Sequence, residues 1–398
     1  MLFRRVWLGV AALALAWGLG ELAARLWLAR AADDAAVRKY GSIAQLRERW
    51  TERITPHRYL GYVNTPGFRH GKDQHNAHGL RGDEFALRKP AGELRIACLG
   101  GSTTYSTTVA DWRESYPAQL EARLRELGHA NARVLNAGVQ GWSSFESTLN
   151  LHLRLLELSP DVVIVYHGVN EAPPRLVWPH EAYRSDNSGF RRHAAQLRER
   201  DDLWSASALV RCLAVRAGWM RPSSALFELD PPTETWVGDE FDRQMWSAEY
   251  PAGLFASTPV ERVLELNPPT HFERNLRTMM GMSQAHGFAL VLATYSHLAP
   301  PGEARDSSYN SAVFAQAIAQ TNAVVRALAD EPDDDVWLFD YAQRSPLARE
   351  HYHTWSRDGR ELIDIHHPNA AGYRLQAESF AQFLVESELL RPGRAKRR

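Results

Sequence analysis

Ser102, Asn170, Asp364 and His367 are the residues whose types and surroundings can do chemistry together. Ser102 follows the apolar run Leu94–Leu99 and the pair Gly100-Gly101. Glycines let a backbone turn sharply and pass close to a ligand. A serine just past such a turn sits at the carboxyl edge of a sheet, where open α/β sheets place their sites. The same features also suit an ordinary strand-to-helix turn with a serine cap. A hydroxyl becomes a useful nucleophile only when a base takes its proton and a third group orients that base. Asp364 and His367 are three apart in Asp364-Ile365-His366-His367-Pro368-Asn369, so one short loop presents both toward one point. Asn170, in His167-Gly168-Val169-Asn170 directly after the apolar strand Val162–Tyr166, puts an amide donor at the same edge. Such a donor suits an oxyanion.

His366 and His367 cannot both serve Ser102, because neighbouring side chains on an extended segment point apart. The spacing from Asp364 selects His367, and Pro368 holds it away from the helical region. His366 is expected to face His351, His353 or solvent.

These residues need a parallel sheet to hold them. Apolar strand candidates at 94–99, 132–136, 161–166, 288–294 and 336–340 alternate with helix candidates near 115–127, 145–157, 271–285, 310–329 and 370–389. That alternation predicts five parallel strands with helices on both faces. Residues 172–268 interrupt the rhythm after the third strand as a lid or substrate-binding insertion, with a helix candidate at 202–219. Its Trp178, Trp204, Trp219, Trp236 and Trp246 could stack on sugar rings or line an acyl cleft, although most are expected to form the insertion's own small core.

Ahead of the sheet, Arg4 and Arg5 precede an apolar run from Val6 to Gly20 that continues to Leu28 past Glu21 and Arg25. A positive start followed by an apolar stretch is an export signal. An uncleaved anchor over 1–29 fits better than a signal peptide cut after Ala29-Arg30-Ala31, which would release a secreted protein. Either way the rest of the chain lies outside the cytoplasm. Residues 30–91 read as a charged, helix-prone stalk and then turns and extended pieces. His57, His70, His75 and His78 there match no metal-ligand spacing. Residues 92–398 form the main domain. The formal net charge of −1 argues against a nucleic-acid partner, and Arg391–Arg398 reads as a solvated tail. The only cysteines, Cys98 and Cys212, offer no disulfide framework, and none closely follows the apolar run, as a lipoprotein would need.

The chain resembles the SGNH hydrolases, the GDSL esterase/lipase superfamily, in a membrane-anchored bacterial form. Gly100-Gly101-Ser102 resembles the family's Gly-Asp-Ser block, with Gly101 in place of the aspartate. Asn136-Ala137-Gly138-Val139-Gln140-Gly141 resembles the second block, Gly168-Val169-Asn170-Glu171 the Gly-x-Asn-Asp block, and Asp364, His367 and Pro368 the last one. The resemblance implies a three-layer, flavodoxin-like α/β/α fold. It also implies a Ser102-His367-Asp364 triad, and an oxyanion hole from the amides of Ser102 and Gly141 and the side chain of Asn170, with no metal or cofactor. The implied activity is hydrolysis of acyl esters, acetyl among them, on an extracytoplasmic glycan, lipid or small molecule at the bacterial inner membrane. An O-acyltransferase acting on envelope or exported polysaccharide would use the same residues. A non-catalytic glycan-binding domain would not need them. A phosphate-binding loop lacks its lysine, and a metallohydrolase on His351, His353, Asp358, Asp364 and His366 leaves Ser102 and Asn170 unexplained.

Overall fold

In a computed structural model of the chain, residues 2–48, 52–187, 204–226, 240–299 and 311–390 are described, except positions 242, 245, 246, 248, 250, 334 and 358. Trp236, Trp246, Asp358 and the basic tail lie outside the described residues. The chain divides into two compact units, residues 1–62 with 193–230, and residues 63–192 with 231–398.

The larger unit holds a five-stranded sheet. Its strands are β1 (Leu94–Gly100), β2 (Ala132–Asn136), β3 (Val162–Tyr166), β4 (Ala289–Ala293) and β5 (Val336–Phe339). All pairings are parallel, in the order β2-β1-β3-β4-β5. Strands of a parallel sheet are covered on both faces, so they read as unbroken apolar runs. Every residue of β1, β3 and β4 is buried accordingly. Successive side chains divide between two cores. Ile96, Cys98, Ile164 and Val291 face one, and Ala97, Leu99, Val163 and Leu290 face the other.

The helices are α1 (Ser102–Tyr105), α2 (Tyr116–Glu126), α3 (Ser144–Asn150), α4 (Thr270–His286), α5 (Ala312–Ala329) and α6 (Ala370–Glu386). Leu120 and Leu124 of α2 and Tyr373, Ala377 and Phe380 of α6 close the first core; Phe272, Leu276 and Met279 of α4 close the second. Fully burying a side chain of this size is worth roughly 1.5–3 kcal/mol, so these two layers hold the sheet edge in place. The expected helix near 145–157 is α3 followed by a wider π turn over Leu151–Leu155 and a 3-10 turn over Leu156–Leu158. That path still buries Leu151, Leu155 and Leu158.

The order places the topological switch between β1 and β3, where doubly wound sheets leave a crevice beyond the strand ends. Gly100 stands opposite Tyr166 in the register, so the chain leaves β1 toward Ser102 and β3 toward Asn170 at one level. Asp364 and His367 lie on a strand rather than a loop. Strands β6 (Tyr352–Arg357) and β7 (Arg360–Pro368) form an antiparallel hairpin just ahead of α6. The dipeptide Asp358-Gly359 is the hairpin signal in the sequence, and Gly359 has φ +74°.

The smaller unit contains the helices Leu2–Arg30, Asp34–Tyr40, Ile43–Glu48 and Ala208–Arg216. The last is shorter than the 202–219 expected, because Ser207 caps it by accepting from the Val210 N–H. The first is long and apolar enough to cross a membrane by length and composition. Of the insertion's tryptophans, Trp204 and Trp219 are exposed, at 73% and 86%, whereas Trp178 in the larger unit packs against the first core.

Candidate active site

Ser102 is the first residue of α1. In a helix the first N–H groups have no partner within the helix, so the Ser102 amide is available where its hydroxyl emerges. Ser102 Oγ lies 2.7 Å from His367 Nε2, and His367 Nδ1 lies 2.7 Å from Asp364 Oδ2. The other Asp364 oxygen accepts from the backbone N–H groups of His366 (2.9 Å) and His367 (3.0 Å). Burial alone would raise the Asp364 carboxyl. The His367 ring bond, its charge and the His366 amide outweigh that and hold it at about 2. The carboxylate therefore stays ionised and fixes the imidazole with Nδ1 turned toward it. Thr108 Oγ1 donates to the Pro368 carbonyl at 2.5 Å, anchoring the backbone directly after His367.

His366 points elsewhere, as its place beside His367 on a strand requires, and not to solvent. It is buried, with ring centroids 5.7 Å from His297 and 6.2 Å from Tyr295. His353 stacks on Trp355. Among the described residues no three His, Cys, Asp or Glu side chains are gathered as a metal site.

Asn170 sits in a 3-10 turn after β3, and its Nδ2 donates to the Trp142 carbonyl at 2.9 Å. Its amide fills the space a side chain at position 101 would need. A Cβ built on Gly101 would lie 2.3 Å from Asn170 Nδ2. The glycine in place of the family's aspartate is therefore in contact with the amide donor, although it leaves the nucleophile alone. Gly141, one residue before Trp142, has φ +77°, a conformation that favours glycine.

Glu171, which replaces an aspartate of the resembled block, ties these two loops together. It accepts from the Ser144 N–H (2.6 Å) and the Ser144 hydroxyl (3.1 Å), and Asn275 Nδ2 donates to the same hydroxyl (2.9 Å). Burial pushes the Glu171 carboxyl up to about 8. His167, whose Nδ1 is 3.6 Å away, is pushed down to about 3 by burial. Burial thus disfavours the charged form of both groups.

Two supporting residues have no signal in the sequence. Arg81 is buried, with Nε on Asp73 Oδ1 at 2.7 Å. Its other nitrogens donate to the carbonyls of Tyr105 (2.7 Å), Ser106 (2.8 Å) and Val109 (2.8 Å). Tyr105 OH completes the cluster with Asp73 Oδ2 (3.1 Å) and His75 Nε2 (2.9 Å). Carbonyls at a helix end need outside donors, so Arg81 and Asp73 clamp the far end of the helix that begins with Ser102. His75, a loop histidine by sequence, is thus a buried member of this cluster.

Residues 98–250 match the GDSL-like lipase/acylhydrolase family. No curated protein matches the chain. Among solved structures, an alpha/beta hydrolase from the metagenome of Lake Arreo, Spain, is similar at 14% identity and a TM-score of 0.40, covering 76% of this chain and 97% of that one. A GDSL-like lipase from Bacteroides thetaiotaomicron is similar at 14% identity and 0.36, covering 75% and 92%. A variant of an acetyl xylan esterase from Geobacillus stearothermophilus is similar at 12% identity and 0.39, covering 75% and 96%. Gly100-Gly101-Ser102, the Asn136–Gly141 block and Gly168-Val169-Asn170 all lie inside the stretch that matches the GDSL-like lipase/acylhydrolase family, a match that supports a hydrolase.

Proposed function

We propose that the protein is a serine esterase that cleaves acyl esters, acetyl esters among them, on an extracytoplasmic glycan or lipid. The hydrogen-bonded line from Asp364 through His367 to Ser102 carries this reading. Ser102 Oγ attacks the ester carbonyl carbon while His367 Nε2 takes its proton. Asp364 stabilises the imidazolium that results. The oxyanion is held by the amides of Ser102 and Gly141 and by Asn170 Nδ2. The tetrahedral intermediate collapses, the C–O bond to the alcohol breaks, and the alcohol leaves with the proton from His367. Water then gives His367 a proton, attacks the acyl-serine and releases the acid and free Ser102. Removing one oxyanion donor costs about 3–4 kcal/mol.

The location rests on Arg4 and Arg5 ahead of the apolar helix, an arrangement that keeps the N-terminus in the cytoplasm and the remaining chain in the periplasm. A reporter active only outside the cytoplasm, fused near residue 50, is expected to be active; an expressed but inactive fusion refutes the location. For the chemistry, a fluorophosphonate should label Ser102, and Ser102→Ala should lose both labelling and ester hydrolysis. Labelling that persists assigns the chemistry to another residue. With acetylated oligosaccharides, free acetate identifies hydrolysis. Acetyl moved to an acceptor sugar identifies an O-acyltransferase, and binding without turnover identifies a glycan-binding domain.

A further inference from the structure

The helix Leu2–Arg30 has two unlike parts. The first carries exposed apolar side chains such as Phe3, Trp7, Leu13 and Trp17. The last is already covered by protein. Leu28 is 1% exposed and clusters with Ala32, Val37 and Ala208, against which Ala24, Tyr40 and Cys212 also pack. The changeover is at Gly20 and Glu21. A Cβ on Gly20 would stand 3.0 Å from a Leu209 methyl, so the bare glycine admits that side chain. One Glu21 oxygen accepts from Ser207 Oγ (2.7 Å) and the Leu209 N–H (2.9 Å). The other accepts from the Ala208 N–H (3.1 Å) and Arg25 Nε (2.6 Å). Arg25 in turn donates to the Ala206 carbonyl at 3.2 Å.

An acidic residue inside an apolar helix is costly in lipid unless it is paired. Glu21 is paired mainly with the start of helix Ala208–Arg216, whose first N–H groups have no partner of their own. A carboxylate there also suits the positive end of the helix dipole. That helix comes from the insertion after β3, far along the chain.

We infer that the helix Leu2–Arg30 is retained in the mature protein as the seat on which Ala208–Arg216 folds, and that the bilayer covers it only as far as Gly20. The inference rests on the reading that this helix enters a membrane. Phe3 to Gly20 spans about 27 Å at 1.5 Å per residue, close to the roughly 30 Å of a hydrocarbon core. Cleavage after Ala31 would remove Glu21 and Leu28 together. The first amides of Ala208–Arg216 would lose their acceptor, and Val37 and Ala208 would lose their apolar cover.

The full-length chain with a C-terminal tag is isolated from bacterial membranes and its intact mass is measured. The expected mass includes the N-terminal helix, and the chain resists carbonate extraction. In a Cys212→Ser background, the pair Gly20→Cys and Leu209→Cys should form a disulfide seen as a linked peptide pair under non-reducing mapping. Leu213→Cys, exposed on the same helix, should not link to Gly20→Cys. A chain that starts near residue 32, or a complete chain in which positions 20 and 209 do not link, overturns the inference. A complete, linked chain that carbonate releases supports the helix pairing and overturns the membrane reading instead.

Discussion

Gly101→Ala isolates the oxyanion side of the site from the nucleophile. Gly101 has φ −90°, outside the left-handed region that favours glycine, and the direct consequence is steric. The new Cβ would lie 2.3 Å from Asn170 Nδ2 and 3.0 Å from the Trp142 carbonyl oxygen. Ordinary contact lies about 1 Å beyond the first of these distances, so the amide has to move by roughly that much. A donor displaced by an ångström no longer meets the oxyanion at hydrogen-bond distance. The expected cost is that of deleting a donor, about 10²–10³ in kcat, or roughly 3–4 kcal/mol. The Ser102–His367 pair at 2.7 Å is untouched. Fluorophosphonate labelling should therefore persist while turnover of a short nitrophenyl ester falls. Groups that act as one unit are non-additive, so Gly101→Ala in an Asn170→Ala background should cost less than threefold more. A single Gly101→Ala variant with kcat within threefold of wild type would refute the reasoning, as would a double variant in which the two losses multiply in full.

His367→Ala should lower ester turnover by roughly 10⁴ or more, whereas His366→Ala should lose less than tenfold, since its ring packs by His297 and Tyr295; the opposite ranking on one ester shows that the base has been misassigned. For Glu171, a carboxyl raised to about 8 adds stability that is full below its unfolded value of 4.5 and is lost as pH climbs toward 8. His167, held near 3, contributes a constant amount above neutrality. From pH 7 to pH 8 urea unfolding of the wild type should lose about 1 kcal/mol relative to Glu171→Gln, and parallel pH profiles would show that the group is not raised. Arg81→Lys keeps the charge but cannot reach Asp73 and three carbonyls at once. At about 1–3 kcal/mol for each buried acceptor left unmet, a loss of about 2–4 kcal/mol in urea unfolding is expected, and a change under 0.5 kcal/mol would remove Arg81 from its clamping role.

Local pattern makes part of this molecule readable from its residues. β1, β3 and β4 are apolar runs ended by glycine or a polar residue, and each delivers the next few residues to the carboxyl edge of the sheet. Ser102 and Asn170 are therefore visible as edge residues, as is the parallel order of the sheet. The strand character of β7 is also written in the chain, in Asp358-Gly359 between two alternating stretches. Long-range polar burial is not readable. Arg81 carries the same side chain as the exposed Arg123, and only the folded chain shows that it meets the carbonyls at the end of α1. Glu21 and Arg25 do pair, as their spacing suggests, but the pairing that explains Glu21 is with Ser207, Ala208 and Leu209, which no local pattern reveals.

The two departures from the resembled blocks meet at one place. At 101 an aspartate gives way to glycine, and at 171 an aspartate gives way to glutamate; Asn170 touches the first and adjoins the second in sequence. Removing the side chain at 101 leaves room for the Asn170 amide against Trp142. Lengthening the acid at 171 by one methylene lets it reach both polar groups of Ser144, at the start of α3 and just beyond the loop of Gly141 and Trp142. Both departures lie beside Asn170, which bonds Trp142, while the line from Asp364 to Ser102 is untouched. Under the proposed mechanism the variation thus falls beside Asn170, and Ser102, His367 and Asp364 are the unaltered residues.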